Sequence, residues 1–199
     1  NNLTEIDFAQ LHLYDSSDPA FAFPDLAERW NQQIPGKPIL FAEFGASAGV
    51  EDSNSTDRGG LHLHNGLWAA TFSGFASPAM YWWWDLYIDP LNLWSVYGRL
   101  NRFLAGEDLA SLQPTKQSLN SRELPYRALG NEKRLLVWFH DRKNNIYYLD
   151  QARNRLIIDG KEPGSDWIYQ PEPLSGFVLT VSTLNDGAYT AYWYQPLQG

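Results

Sequence analysis

Apolar residues along this chain follow two rhythms. Over residues 1–106, short apolar runs alternate with segments of helical period. Residues 6–14 (IDFAQLHLY) predict a strand whose polar end is Tyr14 and Asp15. Residues 24–34 predict a helix, with Leu26, Trp30 and Ile34 four apart and Pro24 near its start. Residues 38–44 (PILFAEF) form an apolar run bounded by Pro and Gly, the pattern of a strand buried on both faces. A polar loop of Ser, Asp, Asn and Gly follows. Residues 61–72 predict a second helix, 79–84 (AMYWWW) a third strand ending at Asp85, and 91–104 a third helix. That last helix sets Leu93, Val96, Tyr97, Leu100 and Leu104 on one face.

Beyond Gly106 the rhythm changes. Seven short strand candidates fall at residues 126–129, 134–139, 145–149, 155–158, 166–169, 177–181 and 189–194. Turn signals such as Asp159–Gly160 and Asn185–Asp186–Gly187 separate them. The expected fold class is therefore α/β plus all-β, with residues 1–106 as parallel β/α units and 107–199 as a β-sandwich. The polar stretch 113–122 reads as the start of the second part. Three β/α units are too few for a closed eight-fold barrel, which needs about 250 residues. They form either a small open sheet or the last three units of such a barrel. Residue 1 is Asn, with no initiator Met and no leader-like segment, so the chain reads as a piece of a longer protein.

Composition narrows the function. The 199 residues carry 15 Lys+Arg against 23 Asp+Glu, a formal charge of −8, which argues against a nucleic-acid partner. No apolar run is long enough for a membrane helix, and no membrane partner is expected. The absence of cysteine excludes disulfides and thiolate metal sites without fixing the compartment. The acidic excess is uneven: residues 1–106 hold 12 Asp+Glu, 5 Lys+Arg and six of the nine Trp. Aromatic rings suit the apolar faces of sugars, and they suit large cores equally.

The sharpest chemical candidate is Glu43, at the end of an apolar strand and before a long loop. In parallel β/α folds, sites form at strand C-termini. A carboxylate there serves as nucleophile or general base, or as a structural group paired with a cation. His12 and Tyr14 stand two apart near the end of the first strand and share a face. They could bond a neighbouring carboxylate, a sugar hydroxyl or nothing but the core. Trp82 and Trp84 alternate with Trp83, so one face of the third strand could carry a stacking platform, with Asp85 beside it. His62 and His64 lie at a helix start where positions two apart diverge, so no metal is expected. Asn2 and Asn54 head Asn-x-Thr tripeptides, meaningful only in a secreted eukaryotic setting.

The strings LHLYD, KPILFAEFGAS and HNGLWAATFSGFASPAMYWWWD, in that order, resemble the last three strands of clan A glycoside hydrolases. The likeness is to cellulase- and mannanase-like members related to family 5, and it covers residues 5 to about 105. The resemblance implies strands six to eight of a TIM (β/α)8 barrel that cleaves β-linked glycosides with retention. It implies Glu43 as the catalytic nucleophile and His12 and Tyr14 beside it. Trp83 or Trp84 would be the floor of the cleaved-sugar subsite; Asp85, directly after them, could bind substrate or anchor the loop. No cofactor is implied. The tail, with LNDGAYTAYWY, resembles the β-sandwich that follows the barrel in some such enzymes.

One departure is large. The family's acid/base is a Glu preceded by Asn at the end of strand four, which would lie upstream of residue 1. The Asn131–Glu132 pair falls in an expected hairpin turn of the second part and does not match. A retaining hydrolase needs two carboxyls about 5–5.5 Å apart, and this chain supplies one. The expected partners are an oligo- or polysaccharide and either the missing N-terminal part or a second copy. A secreted, extracellular setting is expected, with a cytoplasmic one left open. The alternative reading is a non-catalytic sandwich that binds carbohydrate or supports a barrel.

Overall fold

The computed structural model describes residues 5–46, 56–122 and 124–196. Asn2, Asn54 and most of the polar loop before the second helix lie outside them. The first strand, β1 (Ala9–Leu13), pairs in parallel with β2 (Ile39–Phe44). Leu11, Ile39, Phe41 and Phe44 are buried on one face of this pair. The register slips between Leu11 and His12: Leu11 faces Phe41, but His12 faces Glu43. Ala42 is the extra residue of this bulge, which bends β2 and re-aims the residue after it.

Helix α1 (Pro19–Gln33) links the two strands. It begins five residues before the expected start. Asp18 caps it, one carboxylate oxygen accepting the Ala20 amide at 3.0 Å, and Pro19 fits the first turn. Pro24 therefore lies inside the helix. It has no N–H to give the Ala20 carbonyl four residues back. The Arg127 guanidinium donates to that carbonyl at 3.0 Å, so the buried acceptor is satisfied from the other end of the chain.

Helix α2 (Leu61–Phe72) is buried along nearly its whole length. It crosses Phe44 at Gly66, where even a methyl group would stand 2.0 Å from the ring. Phe23 stacks on Phe41 with centroids 4.0 Å apart, and Phe44 and Phe75 meet them edge-on. The third expected strand, residues 79–84, survives as a single parallel bridge between Tyr81 and Phe44. The chain does run along β2, bonding from Ala76 to Ile39, Met80 to Phe41 and Trp82 to Phe44. Pro78 has no amide to complete a ladder there. At Trp84–Ile88 the backbone enters a π-helical turn, and helix α3 (Trp94–Leu104) follows.

Past Gly106, residues read as a polar stretch supply β3 (Gln113–Thr115) and β4 (Ser118–Leu119). Strands β5 (Tyr126–Gly130) and β6 (Leu135–Phe139) form a hairpin, and the antiparallel order is β3-β5-β6. Asn131–Glu132 occupy its turn, where the Asn131 side chain accepts the amides of Lys133 and Arg134. The strands expected at 145–149 and 155–158 are one helix, α4 (Ile146–Ile158). Asn145 caps its start, its side chain accepting the Tyr148 amide at 3.2 Å. Leu149, Ala152 and Leu156 recur at helical spacing within it. The candidate at 177–181 shortens to β7 (Leu179–Thr180), paired with β4. No strand forms at 166–169 or 189–194.

Both parts share one core. Trp138 of β6 and Tyr194 pack within 6.3 Å and 6.2 Å of Trp68 on α2. The second Asp18 oxygen contacts His140 Nε2 and accepts from Asn145 Nδ2, each at 3.0 Å, all three side chains buried. Asn65 on α2 donates to the Asn144 carbonyl at 2.7 Å. Among the described residues no helix is long and apolar enough to cross a membrane.

Candidate active site

Helices cover the face of β1 and β2 that carries Leu11, Ile39, Phe41 and Phe44. His12, Tyr14 and Glu43 belong to the other face. Strand alternation sends His12 and Tyr14 the same way, and the bulge at Ala42 brings Glu43 opposite His12. The Tyr14 hydroxyl donates to Glu43 Oε2 at 2.6 Å, and His12 Nδ1 stands 3.2 Å from the same oxygen. Among the described residues both of these contacts fall on Oε2. The Tyr14 phenol is held above its ordinary range, first by partial burial and then by its bond to the Glu43 carboxylate. It remains a donor throughout the physiological range. Directly after Tyr14 the chain turns through Asp15 in the left-handed region (φ 60°), a conformation Asp tolerates better than most residues.

The aromatic run lies on the segment beside β2. Tyr81 is fully buried, 4.8 Å from the Phe44 ring, and its hydroxyl accepts the Ala46 amide at 3.2 Å. Alternation about the Tyr81–Phe44 bridge assigns Met80 and Trp82 to the Glu43 face. Trp82 is exposed and meets Trp83 edge-on at 6.3 Å. Trp83 packs against the core, half-buried. Trp84 is 54% exposed and opens the π-helical turn, with Asp85, also exposed, next in it. The structure therefore brings His12, Tyr14 and Glu43 into one cluster. It turns Trp84 and Asp85 outward at the adjoining strand position and leaves Trp83 against the core.

Asp57 has no counterpart in the sequence reading. It is fully buried, and its oxygens accept the amides of Leu61 and His62, each at 2.8 Å, and the Tyr87 hydroxyl at 2.7 Å. It thus ties the start of α2 to the π-helical turn after the tryptophans. Burial pushes its carboxyl up, and the donated bonds work against that shift. The available signal was an Asp followed by Gly59–Gly60 just before an apolar run, a helix-start pattern. His62 is buried against Phe44 and Tyr81, with Nε2 2.8 Å from the Ser16 carbonyl. His64 faces Trp68 and Trp138 instead. Burial lowers His62 to about 4 and His64 to about 3, so both rings are neutral at pH 7. The described residues hold no group of three side chains suited to a metal ion.

Chemically, the cluster presents a carboxylate at a strand end with one oxygen held by a phenol and an imidazole. The exposed indoles of Trp82 and Trp84 stand on the neighbouring segment. Comparison with family models, with curated proteins and with solved structures gives no match.

Proposed function

We propose that residues 1–106 carry the nucleophile half of a retaining glycoside hydrolase acting on β-linked glycans, with Glu43 as nucleophile. The observation that carries this reading is the convergence of Tyr14 and His12 on one oxygen of Glu43. A nucleophilic carboxylate must be ionised, fixed in orientation and open at its other oxygen. In this reading Glu43 Oε1 attacks the anomeric carbon as the bond to the leaving oxygen breaks, giving a glycosyl-enzyme. Tyr14 keeps donating to Oε2 and gives no proton to the sugar. A Trp of the 82–84 run stacks on the sugar face. The acid/base that protonates the leaving oxygen, and later activates water, comes from a strand of the N-terminal part of the barrel. That part, or a second copy, covers the Glu43 face.

A leaving group that needs no proton separates this half-reaction from the whole. The chain is incubated with 2-deoxy-2-fluoro-β-glucosyl and β-mannosyl fluorides and read by peptide mass. Attack at carbon 1 expels fluoride and adds one fluoroglycosyl group to Glu43; Glu43→Gln gains none. Absence of an adduct, or an adduct on another residue, overturns the assignment. On β-mannan or β-glucan the chain alone shows no turnover. Turnover abolished by Glu43→Gln would instead refute the missing acid/base.

A further inference from the structure

A second site is built where β4, β5 and the α4 approach meet, and it shares no residue with the Glu43 cluster. Arg122, Arg127 and Arg142 line an open depression of about 420 Å³, with Gln117 and Ser118 on its wall. No described lining residue is acidic. That concentration of arginines stands out in a chain whose formal charge is −8.

Among the described residues the three charges have few local counterparts. Arg127 Nη1 donates to the Tyr126 carbonyl at 2.9 Å and Nη2 to the Ala20 carbonyl at 3.0 Å, so neutral oxygens hold the group. Asp18 and Asp25 favour its charge from a distance. The Arg142 guanidinium sits 5.0 Å over the Phe21 ring, fixed by a π-face. Among the described residues no ion pair joins any of the three to a carboxylate. Burial lowers Arg127 below its usual range, a cost that an arriving anion would offset. Guanidinium forks match the two oxygens of a carboxylate or phosphate.

We propose that this depression binds an oxyanion carried by a small molecule, gripped by Arg122, Arg127 and Arg142. The volume admits a group the size of a monosaccharide, so a phosphate and a sugar carboxylate are the two sources of the same chemistry.

Calorimetric titrations with sodium phosphate and with sodium glucuronate, at pH 7 and against sodium chloride of matched ionic strength, test it. Saturable one-site binding is expected, weakened at least tenfold in Arg122→Gln/Arg142→Gln, two substitutions of exposed side chains. Binding of phosphate alone or glucuronate alone identifies the source; binding of both assigns a general oxyanion site. No saturable heat for either, or equal affinity in the double variant, overturns the proposal. Phenylglyoxal modification of the unaltered chain reads the same site independently of any variant. Arg122 and Arg142 must be protected by whichever anion binds. Glu43→Gln leaves all these results unchanged, so this site and the Glu43 reading fail separately.

Discussion

Tyr14 contributes one atom to the proposed chemistry, and its removal is informative. Tyr14→Phe deletes the 2.6 Å bond and keeps the ring. A hydrogen bond to a charged group is worth about 1.5–3 kcal/mol, so labelling of Glu43 by the fluorosugars should slow roughly 10- to 100-fold. Labelling kinetics with unchanged circular dichroism check this. A second residue-level expectation concerns pH. His62 binds a proton at its ordinary 6.5 when unfolded and only near 4 when folded. Between these values the unfolded chain holds more protons, so stability falls as pH drops from 6.5 to 4. His64 acts in the same direction down to about 3. Asp57, raised by burial, acts oppositely above its ordinary value of 3.8. His62→Gln should therefore reduce the slope of unfolding free energy against pH by up to about 1.4 kcal/mol per unit in that window. Urea titrations from pH 4 to 7.5 measure it. At this scale strand alternation puts His12 and Tyr14 on one face, but Glu43 joins them only through the bulge at Ala42, which the local pattern does not contain. Asp57 was not legible, because its burial depends on Tyr87, thirty positions away.

Among elements, α2 depends most on a single position. Gly66 sits where any Cβ would collide with Phe44, a side chain itself held by Phe23, Phe41 and Tyr81. Gly66→Ala should cost about 1–3 kcal/mol through overpacking, despite the better helix propensity of alanine. The midpoint of denaturant unfolding should fall without a change in slope. Elements with strong local signals formed where the pattern placed them: β2 between Pro38 and Gly45, and α3 with its apolar stripe. Others turned on contacts the local pattern does not contain. The run around 146–158 has β-favouring Ile and Tyr at its ends, and a strand reading was natural. Its Asn145 cap and the helix formers of its middle decide for α4, with Leu149 as its buried anchor. The start of α1 was obscured by Pro24, which resembles a first-turn proline and is tolerated inside the helix because Arg127 takes over the vacant carbonyl.

At the scale of the whole molecule, one edge of the β1–β2 pair is uncovered among the described residues. Among the described residues only β2 pairs with β1, so the outer edge of β1 is open beside the Glu43 face. Phe8 and Met80 are exposed nearby along the chain, with Trp82 and Trp84. Open edges and apolar faces favour association. Light scattering is expected to show concentration-dependent self-association, and a stable monomer at high concentration would argue against it. The change of rhythm near Gly106 was legible in sequence. The ties across it were not, since they join positions far apart in the chain, 79 residues for Asn65–Asn144 and 127 for Asp18–Asn145. Those ties bear on how such a chain could be inherited. The α1 cap depends on His140 and Asn145, and its proline gap on Arg127. A recombination event at residue 106 that brought in a tail lacking these three side chains would leave Asp18 with a buried, unanswered oxygen and Ala20 with an orphaned carbonyl. The two parts can therefore diverge in surface and loops, but they must travel through evolution as a matched pair.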